Sequence, residues 1–441
     1  MHLAHKAWQT IAARIGSFLP IISILALGAG VLLGSSSEKL SDIVNTSVSG
    51  FIDGYSYGAP LLIFLVLAPA LSRLLTSRRQ GSFGLYVVGW LSVTKILACL
   101  WGVLFTVAIF GLPLLPEHSS SLGSALAQTS RYLFSMLTYS HYFWAIYASI
   151  ITSIIALRVR RLARLLDRSV AGIEQIGHYF QFIIPLFMLA VGVYVQSLPR
   201  YLGQQLGLEG TEAGFQTLDI LGLHLDPNTG SGMVMTYVVG ALLVGAACFI
   251  WHFGILGLAK YKVRQFSLKA YFKNYWIKMY PLLWSTSSEA LAMPLNLYIL
   301  KKNAPWVRSS VRRLVAGSGS WLCTNGTLIC VFILLGLVGM IMGLRFSLIE
   351  LLMCIPVVFF ISYGIPGIPG ELILFAGPLA LLLNIAPEVL PLFLTLYIGL
   401  QIGLPDSFRT GGNTTNNYVY CILLNPAYER RFSEEELKEE E

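Results

Sequence analysis

Six stretches of this chain, at 15–34, 57–75, 83–112, 131–158, 173–197 and 232–258, are each apolar over the length of a bilayer crossing. That feature constrains everything else. A hydrocarbon core of ~30 Å takes about 20 helical residues per crossing, and a backbone inside it must bond to itself, so each stretch reads as a helix. The composition agrees: of 441 residues, 55% are hydrophobic and only 12% charged, and the mean hydropathy is +0.69. A soluble domain of this size does not have that balance. The expected fold is all-α and polytopic, in contact with membrane lipid.

The net charge of +8 reflects topology. Connections 73–80, 158–168 and 260–278 are basic, whereas 35–45 is mixed, 115–131 is nearly neutral and 199–232 has more acids than bases. Every second connection is positive, which predicts cytoplasmic N- and C-termini, with 429–441 as an acidic cytoplasmic tail. Lys and Arg placed between spans give no reason to expect a nucleic-acid partner. Residues 1–16 carry His, Lys, Gln and Arg before an apolar run, and no small-residue cleavage signature follows Leu32 and Leu33, so this segment reads as an anchor. The six cysteines, Cys99, Cys248, Cys323, Cys330, Cys354 and Cys421, lie in or beside apolar segments without a CxxC pair. Neither disulfides nor a structural metal is expected, and no cofactor is implied.

Beyond Lys278 the apolar stretches shorten and are broken by small polar residues. Three breaks stand out: Ser285-Thr286-Ser287-Ser288, Cys323-Thr324-Asn325-Gly326-Thr327, and Gly364-Ile365-Pro366-Gly367-Ile368-Pro369-Gly370. Irregular backbone at membrane depth is tolerated only around a protein-lined cavity. The first and third lie between half-length arms, the pattern of a re-entrant hairpin, and two such hairpins point to a binding site. The bland alternative for the Gly-Pro tip is a loop between two full spans. The last apolar segment, 390–424, contains Asp406, Arg409, Thr410, Asn413, Asn416 and Asn417. Asp406, Arg409 and Asn413 are spaced so that one helical face presents all three. Charge within the membrane is a functional hypothesis by default, set against a plain salt bridge between Asp406 and Arg409.

These residues resemble the dicarboxylate/amino acid:cation symporter family, which includes glutamate and aspartate transporters. Ser285-Thr286-Ser287-Ser288 with Pro294 is similar to the serine-rich tip of that family's first hairpin, and Thr324-Asn325-Gly326-Thr327 to its Asn-Met-Asp-Gly-Thr stretch. Gly367-Ile368-Pro369-Gly370 is similar to the second hairpin tip, and Asp406 to Asn413 to the Asp-x-x-Arg-Thr-x-x-Asn ligand face. The resemblance implies eight transmembrane helices plus two re-entrant hairpins in a homotrimer of the inner (cytoplasmic) membrane. It also implies an elevator mechanism, with residues 1–80 and 130–200 as scaffold and trimerisation helices, and 83–112 with 232–428 as the moving transport domain. By position it assigns Arg409 to a carboxylate of a small acidic substrate, Asp406 to its ammonium, and Thr410, Asn413, Ser287, Ser288, Thr327, Ile368 and Gly370 to the rest of the site. A guanidinium fork suits a carboxylate and a carboxylate suits an ammonium, so the pair together favours aspartate or glutamate over a C4 dicarboxylate.

The cation positions depart from the family. Asn325 stands where the family has an Asp, Cys323 where it has its first Asn, and Asn417 where many sodium-dependent members have Asp; Gly319 belongs to the same region. Hard cations want oxygen ligands and charge compensation, so sodium coupling is doubtful and a proton is the simplest substitute. Thr94 and Lys95 fall where relatives place a Thr-Ser pair on a sodium ion. Lys95 is therefore expected either to supply a tethered ammonium in place of that ion, or to snorkel to an interface or pair with an acid such as Glu174. Candidate proton carriers are Glu289, Glu371, Glu174, His178 and Lys95, since burial disfavours the charged form of each. An uncoupled exchanger or an anion channel is the remaining transport reading. An enzyme is not expected, because neither a Gly-x-Ser-x-Gly elbow nor a His-Glu-x-x-His helix occurs. His141, His252, Tyr139, Tyr142, Phe143 and Trp144 read as interfacial or packing groups.

Overall fold

The computed structural model describes residues 21–76, 81–116, 141–166, 184–205, 214–316, 323–365 and 370–431, with positions 134, 138, 168 and 367. The described chain is almost wholly helical. Its first helices are α1 (Ile21–Ser36), α2 (Glu38–Thr76), α3 (Gly81–Phe110), α4 (His141–Arg158), α5 (Ile184–Gln205) and α6 (Gly230–Lys262). By length and composition α3, from Phe83, and α6 qualify as membrane crossings, and a third does if α1 and the start of α2 form one bent span. Each apolar stretch read from the sequence carries a helix wherever it is described.

The connection expected at 35–45 is itself helical, apart from a bend of 113° between Ile21–Ser36 and Glu38–Val48. Its cause is chemical. The hydroxyls of Ser35 and Ser36 donate to the carbonyl of Leu32, at 2.8 and 2.9 Å, and so compete with the backbone for the acceptors that would carry the helix straight on. In the link before α6, a short hairpin pairs β1 (Leu218–Ile220) with β2 (Leu223–Leu225), a local exception to the all-α reading. Its two-residue turn, Leu221 and Gly222, has positive φ at both positions, which matches the twist of the flanking strands.

The surface is apolar while charge and amide groups lie inside. Met235, Leu242, Ile250 and Phe253 on α6, and Leu85, Val93, Leu97 and Leu104 on α3, are exposed. Lys95, Asn325, Arg409, Asn413 and Asn416 are fully buried. Such inversion suits a protein whose surrounding solvent is lipid, and it marks this chain as an integral membrane protein.

The second half supplies the helical pair α7 (Ile277–Thr286) and α8 (Glu289–Asn303), then α9 (Asn325–Ile341), α10 (Leu348–Ile361), α11 (Ile373–Leu382), α12 (Leu390–Gln401) and α13 (Leu404–Glu429). At 10, 15, 14 and 10 residues, α7, α8, α10 and α11 are each shorter than the ~20 residues of a crossing. Ser347 and Glu350 start α10 with a capping box, satisfying two orphan amides. The expected single segment at 390–424 is instead two helices, broken at Gly403 with φ 84°. A left-handed residue followed by Pro405 ends one helix and starts the next. Asp406 therefore lies in the first turn of α13, where backbone amides favour negative charge. Helix α13 packs against α6, α7 and α9, while α3 packs against α9 and α10.

Candidate functional site

Arg409 is the centre of the site. It projects from the second turn of α13 and is 0% exposed. Its Nε donates to Asp406 Oδ1 at 2.6 Å, its Nη2 pairs with the same oxygen, and its Nη1 pairs with Glu371 Oε1. Nη1 also donates to Thr327 Oγ1 at 3.1 Å. The salt bridge expected as the bland alternative for Asp406 and Arg409 is present, and Glu371 is a second acid on the same guanidinium.

Each carboxylate also reaches the tip between α10 and α11. The amide of Gly367 donates to Glu371 Oε2 at 2.7 Å, and that of Gly370 to Asp406 Oδ2 at 2.9 Å. One oxygen of each acid therefore faces the guanidinium while the other is bound to the tip backbone. The second tip is clamped to α13 through charge-assisted bonds, roughly twice as strong as neutral ones.

One turn further along α13, Asn413 joins three elements. Its Oδ1 accepts the amides of Gly326 and Thr327 at 2.6 and 3.1 Å. Its Nδ2 donates to Glu289 Oε1 at 2.6 Å and to Thr327 Oγ1 at 2.7 Å. The Thr327 hydroxyl donates in turn to Glu371 Oε1 at 3.1 Å, so its one proton and both lone pairs are used. Close approach of α9 to α13 depends on Gly326, where a Cβ would lie 2.4 Å from the Arg409 carbonyl oxygen.

The first tip meets the second. The amide of Glu289 donates to the carbonyl of Gly367 at 3.0 Å, and Ser288 Oγ donates to the same oxygen at 3.3 Å. Ser287 is left-handed, with φ 46°, a strained conformation for a residue with a side chain. Its hydroxyl lies 3.1 Å from that of Ser407. A small cleft reaches this point between α1 and α5, lined by Ser23, Met188, Ser285, Ser287, Asp406 and Ser407.

The sequence-derived candidates thus separate. Asp406, Arg409, Asn413, Thr327, Ser288 and Gly370 converge, and Ser287 borders them. Thr410 turns its hydroxyl back to the Asp406 carbonyl at 2.8 Å, within its own helix. Ile368, Gly319, Glu174 and His178 lie outside the described residues. The sequence marks Glu289 and Glu371 only as candidate proton carriers, but both stand inside the cluster, fully buried or nearly so. Their signal was an acid immediately following each break in the apolar pattern. Ser407 carried no such signal.

At the cation positions, Asn325 Nδ2 donates to the Thr94 carbonyl at 2.9 Å, which brings α9 onto α3. The carbonyl oxygens of Asn325 and Asn417 are buried without a hydrogen-bond partner, and Cys323, two residues before Asn325, is buried too. Neutral oxygens of this kind can face a hard cation but do not offset its charge. Lys95 is 0% exposed, so it does not snorkel to an interface; it pairs with no acid among the described residues, and Glu174 lies outside them. His252 is a packing group: its ring nitrogens bond Asn416 Oδ1 at 2.8 Å and the Tyr271 hydroxyl at 2.9 Å.

No curated protein matches the chain. Residues 226–426 match the model of the sodium:dicarboxylate symporter family, a stretch that holds both tips, the start of α9 and nearly all of α13, and the resemblance read from the motifs is borne out over it.

Proposed function

We propose that this chain is a secondary transporter that carries an acidic amino acid, aspartate or glutamate, across the cytoplasmic membrane. The observation behind this reading is the buried guanidinium of Arg409 between two tips. A substrate carboxylate takes the place of the Glu371 carboxylate on Nη1 and Thr327 Oγ1, and the tip released from Arg409 swings to admit it. Asp406 then faces the substrate ammonium. The family likeness supports elevator movement of α3 and residues 232–428 within a homotrimer, with two re-entrant hairpins and eight crossings in all. Coupling is to protons or independent of sodium, because the cation positions hold amides.

A C4 dicarboxylate is the second reading. What favours it is that Asp406 is already engaged by Arg409 and Gly370, leaving the guanidinium to define the site. Uptake of labelled aspartate, glutamate and succinate by purified protein in vesicles, with choline replacing sodium, separates the two. Lysine keeps the charge of Arg409 but not the fork, so Arg409→Lys is expected to lower uptake of the preferred substrate roughly 10- to 100-fold. Unchanged affinity for every acidic substrate in that variant would remove the basis of this assignment.

A further inference from the structure

The chain carries a second buried cation, unused by the Arg409 cluster. Lys95 projects from the middle of α3 and is 0% exposed. An ammonium at such depth is costly unless its donors are met. Its Nζ donates to the Ser362 hydroxyl at 3.0 Å and to the Ser362 carbonyl at 3.3 Å. It also lies 3.7 Å from the centroid of the Tyr363 ring, well within cation–π range. Ser362 is the C-cap of α10, so the ammonium stands where that helix's unpaired carbonyls and dipole place partial negative charge. One turn earlier on the same face of α3, Ser92 Oγ lies 2.5 Å from the Tyr363 hydroxyl. Together these groups fasten the first arm of the α10–α11 hairpin to α3.

A carbonyl, a hydroxyl and a ring face are the ligands of a monovalent cation, and no carboxylate joins them among the described residues. We propose that the end of α10 is a monovalent cation site whose occupant is the chain's own Lys95 ammonium. The tethered cation holds the hairpin foot without any ion from solution. Truncation of the side chain would leave the same ligands to bind a free cation, either a small alkylammonium or an alkali ion.

The test uses purified full-length protein in detergent and reads the thermal unfolding midpoint, so it does not depend on the transport reading. In choline, sodium or propylammonium chloride the wild-type midpoint is expected to stay constant. Lys95→Ala is expected to unfold at a lower temperature in choline and to recover by about 2 °C or more when propylammonium or sodium is present well above its dissociation constant. Lys95→Met, whose side chain fills the space, is expected to show no recovery. A truncated variant that neither loses stability in choline nor gains it from any cation overturns the proposal, as does recovery by the same amount in Lys95→Met. If Lys95→Ala does not fold, Tyr363 carries the test. Tyr363→Phe keeps the ring face and is expected to unfold above Tyr363→Leu, and equal midpoints overturn the proposal.

Discussion

At the scale of single residues the decisive fact is that Arg409 has two acids where its helix alone would supply one. Asp406 is fixed by its position three residues earlier, but Glu371 arrives from a different element and is held by the Gly367 amide. On the proposed reading, Glu371 occupies the guanidinium edge that a substrate carboxylate takes. Glu371→Gln keeps the shape and one acceptor while replacing a charge-assisted pair by a neutral bond, a difference of about 1 kcal/mol. The expected result is a KM for the acidic substrate several-fold lower than wild type, measured by initial uptake rates in vesicles. A raised KM would mean that Glu371 contacts the substrate and does not compete with it.

Among the elements, the packing of α9 on α13 sets the site's dimensions. Gly326→Ala would place a Cβ 2.4 Å from the Arg409 carbonyl and 3.0 Å from Asn413 Oδ1, both part of the rigid α13 face. Overpacking of this kind costs typically 1–3 kcal/mol, and here the displaced groups are those that hold Glu289 and Thr327. A lower thermal midpoint with loss of uptake is expected, and wild-type uptake in that variant would show that the contact is dispensable. This level was partly legible in sequence. Breaks at Ser287 and Gly367 were visible because small polar residues interrupt apolar runs, and the Asp406 to Asn413 face because helical periodicity is local. The start of α13 after Gly403 was not read: Gly403 and Pro405 mark it, but the apolar residues on either side hide the break in a reading by hydropathy. The meeting of Glu371 with Arg409 was invisible for a different reason: it depends on the second tip touching α13, a long-range contact that no spacing encodes.

For the molecule as a whole, if the cargo is the acidic amino acid proposed above, the balance of buried charge determines what must travel with it. Asp406 and Glu371 pair with Arg409 and Glu289 bonds Asn413 in one buried cluster, while Lys95 spends its ammonium on Ser362 and Tyr363. An acidic amino acid adds a further net negative charge to a site already richer in acids than bases. Each uncompensated buried charge costs several kcal/mol, so uptake has to bring positive charge with it. Sodium is poorly served, because Asn325 and Asn417 offer oxygens without charge, whereas three carboxyls can each take a proton. An inward proton gradient is therefore expected to raise the initial rate of aspartate uptake several-fold in sodium-free vesicles, a protonophore to abolish that gain, and Glu289→Gln to reduce it. Uptake that follows a sodium gradient and ignores a proton gradient would require the compensating charge to sit at the amide positions instead.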